Sequence, residues 1–147
     1  MKETRRQARE WAVQMLTAAD LNPAADTQSV VDDFWAQHAS LDVEDGGDGG
    51  EKVPAWLRKF ADERVLGVLG GLAEIDAALA PLLENWDLSR LGTVERAVLR
   101  LGAWELKNTD IPRGVVINEA VDLINWFSSP KSRTLVNAVL DKLAKKG

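Results

Sequence analysis

The stretch that decides the fold is Thr93-Val94-Glu95-Arg96-Ala97-Val98-Leu99-Arg100-Leu101-Gly102-Ala103-Trp104-Glu105-Leu106-Lys107. Its apolar residues Val94, Ala97, Val98, Leu101 and Trp104 recur at intervals of three and four, which puts them on one face of an α-helix. Leu99, Ala103 and Leu106 widen that face. A helix apolar over so much of its circumference is packed by neighbours on several sides, so this segment is the expected central helix.

Working towards the C-terminus, Pro112–Phe127 carries Val116, Ile117, Ala120, Val121, Ile124 and Phe127 at the same spacing. Pro112 suits a first turn, where its missing N–H costs nothing. Ser129-Pro130 opens a last helix whose stripe is Leu135, Val136, Val139, Leu140 and Leu143. Three helices joined by such short links are expected to pack as antiparallel neighbours.

Working towards the N-terminus, Pro54–Leu83 has helical spacing in Trp56, Leu57, Phe60, Leu66, Leu69, Leu72, Ile75, Leu79 and Leu82. Gly67, Gly70 and Gly71 weaken its middle, so it is either two helices or one kinked helix. Lys2–Ala19 is an amphipathic helix with Ala8, Trp11, Ala12, Met15, Leu16 and Ala19 buried, and Asn22-Pro23 breaks it. A further helix is expected over about residues 25–39 around Val30, Val31, Phe34 and Trp35.

The 147 residues fit one domain with a real core, and each segment with apolar periodicity reads as a helix. Cysteine is absent, which removes disulfides, thiol catalysis and cysteine metal sites. No apolar run approaches the roughly eighteen residues of a membrane span, and the expected location is the cytoplasm. The formal net charge is −5, but it is unevenly spread. Asp20, Asp26, Asp32, Asp33, Asp42, Glu44, Asp45, Asp48 and Glu51 fall between residues 20 and 51, where Lys and Arg are absent.

Few residues offer chemistry. His38 is the single histidine and lacks the partners of a metal site or a serine triad. The run Glu44-Asp45-Gly46-Gly47-Asp48-Gly49-Gly50-Glu51 fits neither an EF-hand loop nor a P-loop, and the segment near 42–52 reads as a flexible acidic connector. Asn118-Glu119 lacks a histidine, paired acid or nucleophile beside it. Of the six tryptophans most occupy apolar helical positions and are expected in the core, with Trp86 and Trp126 the ones suited to a surface. Arg5 and Arg9 stand four apart on the first helix, as do Lys2 and Arg6. These bases either share a solvated face with Glu3 and Glu10 or contact phosphate, for which the guanidinium fork is well suited.

Several blocks then carry a resemblance. Val94-Glu95-Arg96-Ala97-Val98-Leu99-Arg100-Leu101, Glu105-Leu106, Asp110-Ile111-Pro112, Val116-Ile117-Asn118-Glu119-Ala120-Val121 and Val136-Asn137-Ala138-Val139-Leu140-Asp141-Lys142 resemble, in order and spacing, the C-terminal half of the NusB family of bacterial transcription antitermination factors. Arg5-Arg6-Gln7-Ala8-Arg9-Glu10 resembles the family's opening, while about residues 20–55 stay unmatched.

The resemblance implies one NusB-like domain over residues 1–147, a compact all-α bundle of about seven helices in two small bundles. It implies an adaptor rather than an enzyme, with no cofactor and no metal. Its partners would be single-stranded boxA-type RNA of nascent ribosomal RNA, the ribosomal protein NusE and the wider antitermination complex with RNA polymerase, with the chain itself a monomer or homodimer. RNA contact would fall on Arg5, Arg6 and Arg9, with Lys2 and Gln14 as further candidates. NusE contact would fall on Trp126, Phe127, Lys131, Arg133 and Leu135. Thr17 stands where an aromatic is common in the family, Lys131 where an acid is frequent and Leu135 where Phe is frequent. The alternative is a NusB-fold protein-interaction module that has lost or altered RNA binding.

Overall fold

Thr4 opens the first helix. Its backbone is extended, with φ −123° and ψ 168°, and its hydroxyl accepts the Gln7 N–H at 3.2 Å. That satisfies one of the donors that every helix start leaves over. The helix α1 then spans Arg5–Leu21, beginning later than the hydrophobic pattern alone predicts because the cap, not the pattern, sets the boundary.

The computed structural model describes residues 4–23, 26–44, 53–84, 87–127 and 130–146, the side chains of 39–44 and 126–127 excepted. Lys2, Trp86 and residues 45–52 of the expected connector lie outside the described residues, as do the side chains of Trp126 and Phe127. Among the described residues the remaining α-helices are α2 (Thr27–Glu44), α3 (Ala55–Gly70), α4 (Leu72–Leu79), α5 (Thr93–Asn108), α6 (Arg113–Phe127) and α7 (Pro130–Lys146). Short 3₁₀ turns occupy Ala80–Leu82 and Leu88–Arg90, and no strand occurs among the described residues. The helix α2 runs past the expected end at Ala39 to Glu44, because the first glycine stands only at position 46; Asp42, Val43 and Glu44 are helical rather than connector. The open choice in the 54–83 region resolves as two helices with a turn at Gly71.

The chain divides into two compact units, Met1–Leu66 and Gly67–Gly147, with the division inside α3. In the first unit α1 packs on α2 and buries Ala8, Trp11, Ala12, Val13, Met15 and Leu16. The Trp11 and Trp35 rings meet edge to face, centroids 5.4 Å apart at 76°, the arrangement favoured by the aromatic quadrupole. His38 joins this cluster, 5.3 Å from Trp11 and stacked at 9° on Phe34. Trp35 satisfies its buried indole by donating from Nε1 to Asp62 Oδ1 at 2.7 Å. From α3 the residues Leu57, Ala61 and Val65 enter the same core.

In the second unit α5 touches α4, α6 and α7, and α6 and α7 touch each other, as its broad apolar circumference requires. Val98, Leu99, Leu101, Ile124, Val136 and Leu140 are buried at the centre. Gly102 lets α7 come close: a Cβ added there would stand 2.7 Å from Leu140 Cδ1. The indole of Trp104 lies against Gly67 in the same way.

Polar anchors fix the ends. Glu95 Oε1 accepts the Gly92 N–H at 3.0 Å, closing the start of α5, and its Oε2 accepts the Ser132 hydroxyl of α7. The Arg96 guanidinium donates to the carbonyls of Leu91, Leu88 and Ser89 at 2.8, 3.2 and 3.4 Å, holding the 88–90 turn under α5.

Candidate nucleic-acid interface

The basic residues of α1 separate into two groups when placed on the helix. Arg5, Arg6 and Gln14 are exposed, and Arg6 and Gln14 lie on one slanting row of the helix with half-buried Glu10 between them. Arg9 is only 3% exposed. The sequence reading that groups all three arginines as outward-facing is therefore corrected at Arg9. Its stripe neighbours Ala8, Ala12 and Val13 are core, and its guanidinium carbon lies over an aromatic ring within the unit.

That aromatic face belongs to α3. The Arg9 guanidinium carbon stands 5.3 Å from the centre of the Phe60 ring, and Arg64, 4% exposed, covers the same ring at 3.4 Å while donating to the Phe60 carbonyl at 3.2 Å. One helical turn earlier on both helices, Arg5 stands 5.8 Å from the centre of the Trp56 ring. The two rungs, Arg5 on Trp56 and Arg9 on Phe60, share one chemistry: a cation held over a ring quadrupole. They differ in exposure, since Arg9 is buried and Phe60 half-buried while Arg5 and Trp56 are both exposed.

Trp56 is the second correction. The periodicity places it in the core beside Leu57 and Phe60, yet it is 54% exposed, against 5% for Trp11 and 5% for Trp35. The buried stripe of α3 runs through Leu57, Ala61, Val65 and Val68, and Trp56 sits about a hundred degrees round the helix from it, in the first turn, at the edge of the unit. The signal that could have found it was the matched spacing: Arg5 and Arg9 four apart, Trp56 and Phe60 four apart.

Of the residues expected to meet a protein partner, Lys131 and Arg133 are exposed and Leu135 is half-buried. Lys131 and Leu135 share a face of α7 one turn apart; Arg133 points from the opposite side and donates to Asn125 Oδ1 of α6 at 3.3 Å.

The sequence model of the NusB family matches residues 6–145. The chain belongs to the NusB family. The matched span includes Arg6, Arg9, Gln14, Lys131, Arg133 and Leu135, while Arg5 precedes it. A transcription antitermination protein NusB from Sorangium cellulosum is 40% identical over 137 residues, which are 92% of this chain and 88% of that relative. Among solved structures, NusB of T. maritima superimposes with a TM-score of 0.82 at 28% identity, covering 99% of this chain and 94% of that one. A crystal structure of antitermination factors NusB and NusE in complex with double-stranded RNA superimposes with a TM-score of 0.75 at 26% identity, covering 97% of each chain. The superposition with T. maritima NusB thus reaches beyond the blocks that carry the motif resemblance.

Proposed function

We propose that this NusB-family chain is a transcription antitermination adaptor of the cytoplasm that binds boxA-type single-stranded RNA of nascent ribosomal RNA together with NusE. The observation that carries the reading is the open basic edge of α1, with Arg5, Arg6 and Gln14 all exposed on a NusB fold. A related NusB has been crystallised with NusE and double-stranded RNA, which supports NusE and RNA as the two classes of partner. Lys2 is a further candidate for phosphate, and Trp126, Phe127, Lys131, Arg133 and Leu135 remain the proposed NusE contacts.

Physics favours a shared complex over RNA binding by the chain alone. A few guanidinium groups on a molecule of net charge −5 attract RNA weakly, and a second protein holding the same strand raises the effective concentration. Fluorescence anisotropy with a labelled boxA-type RNA, with and without NusE and at two salt concentrations, tests this. Binding should tighten with NusE and fall with salt at a log–log slope of about 0.7 per phosphate neutralised. The double substitution Arg5→Ala/Arg6→Ala should weaken binding and flatten the slope. RNA affinity indifferent to both arginines and to salt would overturn the reading in favour of a protein-interaction module.

A further inference from the structure

We infer that Trp56 is a stacking platform for an unpaired RNA base, with Arg5 as its cationic partner, an inference that rests on the reading of α1 as the RNA-binding edge. A tryptophan carries the largest apolar side chain and is mostly buried when nothing else requires it, as Trp11 and Trp35 are. Trp56 instead leaves 54% of its surface open. It is presented rigidly, because the next residue, Leu57, is fully buried and the Leu57 and Arg58 N–H groups both bond to the Pro54 carbonyl, at 3.0 and 3.1 Å. A ring on a fixed backbone with two rotatable bonds loses little entropy when a ligand lies on it.

The charge beside it selects the ligand. Arg5 stands 5.8 Å from the ring centre and is itself exposed, and Arg6 follows on the same edge. A ligand that fits this pair has a flat π-face for the indole and an anion within reach of a guanidinium, which describes a nucleotide of a single strand. Every base has such a face, so the platform adds affinity with little sequence preference. A base in a duplex is covered by its neighbours and has no face to offer.

The discriminating experiment compares wild-type protein, Trp56→Ala, Trp56→Phe and Arg6→Ala on a mixed-sequence single-stranded RNA and on the same sequence as a duplex. Trp56→Ala should weaken single-strand binding about tenfold. It should leave duplex binding unchanged, while Trp56→Phe keeps most of the affinity. Tryptophan emission of the wild type should be quenched by the single strand, and the quenching should shrink in Trp56→Phe, a readout that does not depend on the alanine variant. Wild-type affinity in Trp56→Ala, or equal loss on both RNAs, overturns the platform. If Arg6→Ala still weakens binding in that case, the RNA reading of α1 stands without it; if the wild type shows no salt-dependent RNA affinity at all, both fall.

Discussion

Arg100 clasps Asp76 through two parallel hydrogen bonds, Nε to Oδ1 and Nη2 to Oδ2, each 2.9 Å. The pair ties α5 to α4 within the second unit, and both groups are largely withdrawn from water. A bidentate guanidinium–carboxylate pair is stronger than a surface ion pair because its geometry is fixed and screening is weak. Arg100→Ala should lower the unfolding free energy by about 2 kcal/mol, the scale of a charged hydrogen bond lost with its partner left behind. Arg100→Lys should recover less than half of this, since an ammonium cannot reproduce the fork. Urea titrations of both variants check the order.

Two glycines in the same unit should respond to alanine with opposite signs. At Gly102 a methyl group would press on Leu140, which is completely buried and would have to shift within a packed core. Overpacking of this kind costs about 1–3 kcal/mol, more than the roughly 1 kcal/mol that alanine gains over glycine inside a helix. At Gly114, in the first turn of α6, nothing stands within 4 Å of the added carbon. Gly114→Ala should therefore raise stability by about 0.5 kcal/mol and Gly102→Ala should lower it. Thermal melts of the two variants side by side decide it, and a double variant Gly102→Ala/Leu140→Ala should relieve part of the clash.

The legibility of the fold followed from packing. The segment 93–107 is surrounded by α4, α6 and α7, so nearly every position off the solvent side must be apolar, and its periodicity reads directly. Helix ends were less visible, because Thr4 at α1 and Glu95 at α5 act through single hydrogen bonds that leave no periodic trace. In the site, charge in the sequence points to the surface. Arg9 and Arg64 break that rule, since long aliphatic stems and an aromatic face let a guanidinium stay inside. Trp56 breaks the converse rule: three-and-four spacing cannot tell a first-turn residue at the edge of the stripe from one within it.

Asp62 gives the first unit a pH dependence of unusual sign. Burial pushes its carboxyl above the ordinary carboxylate value, against the opposing pull of the Trp35 hydrogen bond and the Arg58 charge, with Asp32 adding to the rise. A carboxyl raised in the folded state binds its proton more tightly there than in the unfolded chain. Its contribution is therefore most favourable at low pH and declines as pH rises from 3.8 through the folded value. Glu84 and Asp87, lowered by the hydrogen bond from Lys142 and by those from Ser89 respectively, have the opposite sign and lose their contribution as pH falls. Asp62→Asn keeps an oxygen for the Trp35 indole and removes the ionisation. Denaturation curves from pH 3.5 to 7 should show wild-type stability falling relative to Asp62→Asn as pH rises, whereas Asp62→Ala, which leaves the indole N–H without its partner, should be the least stable at neutral pH.

Arg6 and Arg9 stand three apart on α1 and should fail in different ways. Arg9 is buried with its guanidinium over Phe60, so Arg9→Ala opens a cavity between α1 and α3, removes the cation from the ring and lowers stability by about 2 kcal/mol. Any loss of RNA affinity in that variant should follow the loss of folded protein and vanish when the temperature is lowered. Arg6 is exposed, and Arg6→Ala should leave the melting temperature within about a degree of wild type, as surface substitutions usually do. Its cost should appear in RNA binding alone, as weaker affinity at low salt that converges on wild type as salt rises, because the lost contribution is counterion release. Melting curves paired with anisotropy titrations on each variant separate the two. The reverse pattern, a stable Arg9→Ala that has lost RNA and a destabilised Arg6→Ala that binds it, would place the ligand on the inner rung of the Arg–aromatic ladder instead of its open edge.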